Sequence, residues 1–408
     1  MSRKVYKLFA LFATLSLILA ACGGEASPTP EVEDSAPDVT EVMETEVVET
    51  EVMETEAVSE ATPVAETGSG TTAQTTPEAG EAGGVVQPAG YGTITQRVID
   101  RGQLVCGSRT DLAGFGFLDE NGQNAGFDVD FCRAVAAAVL GDPNAVEFAI
   151  VSTDERGPAL QSAEVDIMAR NMTWTSTREA QWGTFTWITF YDGQGFMVPT
   201  DLGVSSIEDL NGATVCVTSG TTTELNLADA FRQRNLEFTP VVFADTATVY
   251  GSYQEGRCDA VTSDLSQLAA LRSGFPNPDE HQILDIAISK EPLTPAVPAG
   301  DEQWADIVRI VIFGVINAEE LGITQDNVQE MVNSDNIEIR RLLGSEGTWG
   351  QEDLGLPADV MVNVISAVGN YGEIYDRYMG AEGVSFTLDR GLNALWTEGG
   401  LMYAPPLR

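Results

Sequence analysis

EVDIMARNMTWTSTRE, residues 164–179, joins a short strand pattern to a polar loop. Its first five residues predict a strand that ends in a turn. The loop then carries two arginines, Arg170 and Arg178, among hydroxyl and amide side chains and one tryptophan. This mixture is typical of a partly dry pocket for a small charged solute. We expect Arg178 to hold a carboxylate, because its planar guanidinium can donate two parallel hydrogen bonds. The alternative is a polar loop with a surface arginine.

Strand and helix patterns alternate on both sides of this loop. The first run predicts strands at 103–108, 146–151 and 166–169, with helices at 93–101, within 126–143 and at 158–163. A second run predicts strands at 213–217, 239–243 and 259–264, separated by helices, and a return strand within 283–297. Such alternation predicts parallel α/β lobes, in which ligands bind beyond the carboxyl ends of the strands.

Two features of the second run carry chemistry. Gly220, Thr221 and Thr222 lie between a predicted strand and a predicted helix, where free backbone N–H groups can face an anion. Asp264 ends a predicted strand, where it can meet a cation. The alternatives are simple helix N-capping by threonine and by Asp264, and the local sequence does not separate these from ligand contact.

The amino terminus has the pattern of a lipoprotein export signal. Residues 1–21 combine basic residues with an apolar run at 8–19, which is too short for a confident membrane span. Small residues then precede Cys22, which we expect to be lipidated. The alternative is an ordinary secretory signal that contains a cysteine.

Residues 22–90 are predicted to be a disordered acidic tether. They hold 16 acidic residues and no Lys or Arg. This composition buries too little apolar surface to offset the entropy of ordering, and like charges extend the chain. We expect this segment to act as a spacer that holds the following domain away from the membrane. The alternative is an acidic binding tail.

Residues 91–408 are the predicted folded part, long enough for two lobes. The whole chain has a formal charge of −41, most of it in this part. So negative a surface repels nucleic acid, which we exclude as a partner.

Four further cysteines favour disulfides in an exported chain. Of the three pairings that are open, we prefer Cys106 with Cys132 and Cys216 with Cys258, because a bridge between lobes would hinder their relative motion. A metal site is not expected, since there is no CxxC pair and His281 is the only histidine. His281 lies in a hydrophilic segment and is expected to be solvated.

Several separated stretches carry a resemblance to a known family, and they are spread over 91–408: GFDVD at 126–130, ARNMTWTSTR at 169–178, YDGQGFMV at 191–198, ATVCV at 213–217 through LNLAD at 225–229, INAEELG at 316–322 and the ending from 391 to 406. The chain resembles the polar amino-acid solute-binding proteins of ABC importers, and most closely their general L-amino-acid-binding branch.

The resemblance implies a fold and a division of the chain. It implies two α/β lobes joined by two hinge strands, a periplasmic-binding-protein-like fold that closes on a ligand in the cleft. Lobe 1 would comprise 91–194 and 292–408, the latter including a C-terminal helical extension, and lobe 2 would comprise 195–291.

The resemblance also implies roles for individual residues. Arg178 matches the arginine that holds the ligand α-carboxylate, and Asp264 matches the acid that holds the α-ammonium. The supporting pocket positions match Asn171, Thr173, Gly220, Thr221 and Thr222. The chemistry of the ligand agrees with these two roles, because a zwitterion removed from water needs an oppositely charged partner for each of its charges.

Two arginines depart from the family pattern. Arg109 and Leu112 stand where many relatives carry an acid and an aromatic residue, and Arg170 stands where a small residue is common. We hypothesise that Arg109 or Arg170 makes the side-chain end of the pocket electropositive and admits acidic amino acids. The alternative is a surface arginine.

The resulting prediction is a monomeric, lipid-anchored receptor on the outer face of the cell membrane. It binds free L-amino acids, delivers them to an ABC permease and needs no cofactor. An amino-acid-sensing surface lipoprotein is one alternative. A dehydratase-like enzyme on the same fold is another, although the candidate pocket segments contain no Ser-His-Asp set and no carboxylate pair.

Overall fold

The computed structural model describes residues 92–408. The predicted signal, the predicted tether and the lipidation position Cys22 lie outside the described residues. In the described part no helix has the length and apolar character needed to cross a membrane.

Strands and helices alternate along residues 92–408. The strands are β1 (Leu104–Ser108), β2 (Asp111–Leu112), β3 (Gly116–Leu118), β4 (Asn124–Ala125), β5 (Val146–Ile150), β6 (Ile167–Met168), β7 (Thr184–Phe185), β8 (Phe190–Asp192), β9 (Gln194–Pro199), β10 (Thr214–Thr218), β11 (Thr239–Phe243), β12 (Ala260–Asp264), β13 (His281–Ile283), β14 (Glu291–Leu293) and β15 (Ala296–Val297). The helices are α1 (Thr93–Arg101), α2 (Phe127–Leu140), α3 (Arg156–Gln161), α4 (Ser176–Gln181), α5 (Thr222–Arg234), α6 (Thr246–Gln254), α7 (Leu265–Ser273), α8 (Glu302–Glu320), α9 (Val328–Met331), α10 (Ile337–Leu342), α11 (Val360–Val368) and α12 (Tyr371–Met379).

Lobe 1 is built on a five-stranded sheet in the order β5-β1-β6-β15-β7. Strand β1 pairs in parallel with both β5 and β6, so the carboxyl ends of these three strands lie side by side. Helix α2 packs against this sheet. Its first turn carries Asp128 and Asp130, which suit the positive end of a helix dipole, and it ends at Gly141 in the left-handed conformation.

Lobe 2 is built on a second five-stranded sheet, in the order β11-β10-β12-β9-β13. Strand β10 pairs in parallel with β11 and β12, whereas β9 is antiparallel to both of its neighbours. Apolar side chains of β9, β10 and α5 fill its core, among them Phe196, Val217 and Phe231. The expected α/β class with two lobes is therefore what the chain forms.

Two strands connect the lobes. Strand β8 leads from lobe 1 into β9, and β14 leads back from lobe 2 into β15. They pair with each other in antiparallel fashion, with Phe190 opposite Leu293 and Asp192 opposite Glu291. They are the two hinge strands of a two-lobed fold. The return strand expected from 283–290 and 293–297 is formed by three short strands, β13, β14 and β15, which belong to three different sheets.

The carboxyl-terminal helices cover lobe 1. Helices α8, α11 and α12 pack on α2 and on one another. Their aromatic residues meet the hinge, where Phe190 stacks on Tyr375 with ring centroids 6.0 Å apart and lies 5.9 Å from Phe127. One core therefore joins α2, the first hinge strand and the helical extension.

Each lobe contains one disulfide. Cys106 of β1 is bonded to Cys132 of α2, and Cys216 of β10 is bonded to Cys258. This is the pairing preferred from the sequence, and it leaves the two lobes free to move relative to each other. The prediction that His281 is solvated is wrong. His281 begins β13 and is partly buried, and its Nδ1 lies 2.8 Å from the hydroxyl of Tyr253.

Candidate ligand-binding site between the lobes

A polar cavity of about 40 Å³ lies between the lobes. Eight of the nine residues predicted to contact a ligand line it: Arg109, Arg170, Asn171, Thr173, Arg178, Thr221, Thr222 and Asp264. Four guanidinium groups face this space, three of them from residues that follow the neighbouring strands β5, β1 and β6. Sheet order, and not sequence proximity, brings these charges together.

Arg178 lies in the first turn of α4. Its backbone N–H donates to the side chain of the N-cap Thr175, and its Nη1 donates to the carbonyl oxygen of Thr173 at 2.9 Å. The side chain is buried, and its guanidinium carbon lies 4.7 Å from the ring centre of Trp182. Burial lowers the pKa of Arg178, while the negative charges of Glu291 and Asp264 act in the opposite direction. A ligand carboxylate in the cavity would compensate the Arg178 guanidinium for the solvation that it loses on burial.

Arg170 is also buried and is not a surface arginine. Its Nε donates to the carbonyl oxygen of Val151 at 2.7 Å, and its Nη2 lies 3.5 Å from Oγ1 of Thr153. Burial, followed by the positive charge of Arg109, lowers its pKa to about 9. The side chain is therefore still a cation at neutral pH and contributes positive charge to the cavity wall.

Arg109 reaches from lobe 1 to lobe 2. Within lobe 1 its Nε donates to Asp111 at 2.7 Å and its Nη1 donates to Asn171 at 2.9 Å. Across the cleft it donates to Oε1 of Gln267 at 3.3 Å and to Oγ1 of Thr246 at 3.1 Å. Its donors are thus directed to protein groups of both lobes, which gives Arg109 an interlobe bridging geometry that the sequence did not indicate.

Asn171 holds the corner of the loop after β6. Its φ of 37° lies in the left-handed region, which asparagine tolerates better than most residues. Its backbone N–H donates to the carboxylate of Asp128 at 2.6 Å, and its side-chain amide donates to Gln267 of lobe 2 at 3.2 Å. Burial raises the pKa of Asp128 to about 6, against the effect of that backbone hydrogen bond.

Asp264 ends β12 and precedes α7, with its carboxylate on the cavity wall. Its side chain accepts no capping hydrogen bond from α7, so the simple N-cap interpretation is wrong. Burial raises its pKa well above the ordinary value, and the nearby negative charges of Asp192 and Glu291 raise it further. Arg178 and Arg156 oppose this shift. A ligand cation at this position would stabilise the ionised carboxylate.

The turn before α5 differs from the predicted anion-binding turn, in which free backbone N–H groups face the ligand. Gly220 lies outside the cavity, in an adjoining groove, and its N–H donates to the side chain of Glu224. Thr221 is the N-cap of α5, since its side chain accepts from the Glu224 N–H. Thr222 donates its hydroxyl to Glu291 at 2.8 Å, and that hydroxyl lies 3.4 Å from Oγ1 of Thr173. The turn therefore supplies hydroxyl groups to the cavity wall.

Sequence inspection missed Arg156, the fourth guanidinium of the cavity. It begins α3, which follows β5, and its exposed fraction is 4%. Its Nε donates to the carbonyl oxygen of Thr153, whereas its buried Nη2 has no hydrogen-bond partner within residues 92–408. Burial, then the positive charges of Arg178 and Arg170, lower its pKa well below the ordinary value. The signal that could have found it is its position after the carboxyl end of a parallel strand.

Two lobes, paired hinge strands and a charged cavity between them define a two-lobed binding protein. The chain belongs to the bacterial extracellular solute-binding proteins, family 3, whose family model matches residues 104–381. It is 53% identical over 322 residues to the general L-amino acid-binding periplasmic protein AapJ of Rhizobium johnstonii, which covers 78% of this chain and 94% of that protein. It is 51% identical over 310 residues to the glutamate/glutamine/aspartate/asparagine-binding protein BztA of Rhodobacter capsulatus, with 76% and 91% covered.

A solved structure gives the same assignment. The ABC transporter/periplasmic binding protein from Brucella ovis with glutathione bound superposes with a TM-score of 0.75 and 48% identity, covering 77% of this chain and 99% of that chain. These homologues are solute-binding proteins and not enzymes, so the dehydratase-like alternative is set aside.

Proposed function

We propose that this protein is an extracellular receptor for free L-amino acids, with a preference for acidic side chains. The observation that carries the proposal is the charge of the interlobe cavity, which four buried guanidinium groups and one buried carboxylate line. A zwitterion with an additional carboxylate complements this set better than a neutral or a cationic ligand. The names of the two relatives given above specify amino acids, general L-amino acids for one and glutamate, glutamine, aspartate and asparagine for the other, which supports the receptor function but not the acidic preference.

The α-groups of the ligand would be held from opposite lobes. Arg178 of lobe 1 is the proposed partner of the α-carboxylate, and Asp264 of lobe 2 is the proposed partner of the α-ammonium. Each charge-assisted hydrogen bond contributes about 1.5–3 kcal/mol net. Because these contacts form only when the lobes approach, the ligand shifts the population towards the closed form.

The side-chain carboxylate would be held by a second guanidinium group of the cavity, close to Arg178. Arg156 is the proposed partner there, because its buried Nη2 is unpaired among the described residues, and Arg170 adds positive charge beside it. A ligand without this carboxylate leaves that donor unsatisfied. The unmet charged donor then lowers the affinity for neutral amino acids.

A thermal-shift screen of all the common amino acids tests the proposal. We expect L-glutamate and L-aspartate to raise the melting temperature most, and Arg178→Ala to abolish the shifts for every ligand. Arg232→Ala is the matched control, since that arginine also lies in a helix but its side chain is 78% exposed. Unchanged shifts in Arg178→Ala would overturn the assignment.

Arg156→Gln separates the two ends of the ligand. This variant should lose affinity for L-glutamate and bind neutral amino acids at least as tightly as the wild-type protein does, as measured by calorimetry, because it lacks the buried charged donor that a neutral ligand leaves unmet. Binding of neutral amino acids without any binding of acidic ones in the wild-type protein would refute the acidic preference while leaving the receptor function intact.

We further propose the hinge positions and the cellular role. The division into 91–194, 195–291 and 292–408 is supported by the position of the paired strands β8 and β14. Lipidation at Cys22 would anchor the receptor to the outer face of the membrane, and Cys22→Ser should release it into the soluble fraction. Delivery to an ABC permease predicts that uptake of labelled glutamate falls when the protein is deleted. Unchanged uptake would favour a sensory role.

A further inference from the structure

Trp182 lies next to two of the four guanidinium groups of the cavity. The guanidinium carbon of Arg178 is 4.7 Å from its ring centre, and that of Arg156 is 5.8 Å from the same ring. Both distances are within the range of a cation–π interaction, in which the negative face of the indole attracts a cation. One half-buried aromatic side chain therefore contacts the two cations to which the proposed function assigns the ligand carboxylates.

Local structure explains the first contact. Trp182 follows Arg178 by four residues at the end of α4, and its N–H donates to the Arg178 carbonyl oxygen at 2.7 Å. Residues four apart on a helix lie on the same face, so the ring and the guanidinium are neighbours. The backbone of α4 thus fixes the ring beside this cation.

The second contact depends on a glycine in α3. A Cβ atom at Gly157 would lie 2.7 Å from Nε1 of Trp182 and 2.8 Å from its Cε2. The absence of a side chain there lets the indole approach the start of α3, where Arg156 lies. The side chain of Gln161 also donates to the carbonyl oxygen of Gln181 at 2.7 Å, which ties α3 to α4.

The two guanidinium groups have few other partners. Arg178 donates to the carbonyl oxygen of Thr173, and Arg156 donates to that of Thr153. Neither arginine has a carboxylate oxygen within 4.0 Å among residues 92–408. The positive charge of Arg178 also disfavours the charge of Arg156. Within the described residues, two buried like charges are therefore held mainly by carbonyl oxygens and one aromatic ring.

From these contacts we infer that Trp182 is a positioning residue, whose indole ring fixes the guanidinium groups of Arg178 and Arg156 for the two carboxylates of an acidic ligand. This role rests on the proposed function. It assigns no ligand contact to Trp182 itself, which acts through the two arginines. The electronic character of the ring, and not only its volume, then controls the affinity.

Calorimetry with L-glutamate on the full chain tests this role through the ring electrons. Tryptophans bearing one, two and four fluorine atoms at position 182 keep the shape of the ring while weakening its negative face. We expect the dissociation constant to rise stepwise along the series. Trp182→Leu should raise it about ten- to thirtyfold, which corresponds to a desolvated cation–π interaction. A flat fluorine series would overturn the role of Trp182.

Two further variants separate positioning from general stability. Gly157→Ala improves helix propensity in α3 but displaces the ring, so it should weaken glutamate binding without lowering the melting temperature of the ligand-free protein. Trp187→Leu is the matched control, because that half-buried tryptophan packs edge-on against Phe313, 4.9 Å between ring centres, away from the cavity. It should leave the dissociation constant unchanged.

The outcomes distinguish the two proposals. A wild-type protein that binds no amino acid refutes the proposed function. A wild type that binds L-glutamate, combined with a flat fluorine series or with equal losses in Trp182→Leu and Trp187→Leu, refutes the positioning role alone.

Discussion

Ligand binding should release a proton from Asp264. In the ligand-free protein burial raises the pKa of this carboxyl group well above its ordinary value, and the negative charges of Asp192 and Glu291 add to the effect. An α-ammonium placed against the carboxylate favours the ionised form and lowers that pKa. Below the raised pKa, the ligand-free protein therefore carries a proton on Asp264 that the complex does not carry.

The size and sign of the effect follow from linkage. Because the complex binds fewer protons, its formation becomes more favourable as the pH rises, by up to about tenfold in affinity per pH unit for one proton. Above the ligand-free pKa of Asp264 the dependence levels off. The stability of the ligand-free protein depends on pH in the opposite direction. A raised carboxyl pKa stabilises the fold at low pH, and this contribution is lost as the pH rises through the raised pKa of Asp264.

Calorimetry in buffers of different ionisation enthalpy measures the released protons directly. We expect a release approaching one proton per glutamate in the pH range just below the raised pKa of Asp264, and a smaller release in Asp192→Asn where Asp192 is ionised, above the pKa of about 6 to which burial raises it. Asp259→Asn is the matched control, since this aspartate lies in the same lobe but is exposed. A wild-type protein that releases no proton anywhere in this range would refute the reasoning. Undiminished release from Asp264→Asn would assign the proton to another group.

Three further predictions concern bonds that join separate parts of the structure. Arg109→Gln removes the charge-assisted bonds between the lobes, each worth about 1.5–3 kcal/mol, so the ligand-free protein should be more open and show a larger radius of gyration in X-ray scattering. A radius equal to that of the wild type would contradict the bridging role. Asp166→Ala removes a carboxylate of 1% exposure that pairs with two arginines of α1, and we expect denaturant unfolding to show a loss of about 3 kcal/mol. The dissociation constant for glutamate should not change, and a loss of affinity would show that the cleft depends on this anchor. Replacing both Cys216 and Cys258 by alanine opens a link across 42 residues and should lower the free energy of unfolding by about 2–4 kcal/mol, whereas an unchanged value would mean that lobe 2 does not depend on the bridge.

Periodicity and turn residues were sufficient to predict most of the α/β elements. Helix α1 was expected at 93–101 and strand β11 at 239–243, and both have these bounds. Helix α3 begins at Arg156, two residues before the proline at which it was expected to start. Proline lacks only an N–H that the first turn of a helix does not need, so it need not be the first helical residue.

The positions of the charged cavity residues were partly predictable, but their partners were not. Strand ends indicated Arg178 and Asp264, because the carboxyl ends of parallel strands share one edge of a sheet. The bridging of Arg109 to Thr246 and Gln267 spans 137 and 158 residues and depends on how two separate sheets face each other. No local pattern contains that information. Arg156 follows the carboxyl end of β5, so its position at this edge of the sheet was predictable by the same argument.

The excess of guanidinium groups gives the cavity a physical basis for ranking ligands. A neutral zwitterion brings one carboxylate and one ammonium, which the Arg178 and Asp264 pair can match. It leaves buried the Nη2 of Arg156, which has no hydrogen-bond partner in the described part of the chain. An unsatisfied buried donor costs about 1–3 kcal/mol, and more when the group is charged. L-Glutamate offers that donor a carboxylate and L-glutamine offers it a neutral oxygen, so the affinities should fall from glutamate to glutamine to aliphatic amino acids. Discrimination in this receptor would then arise from the cost of closing on the wrong ligand as much as from contacts with the right one.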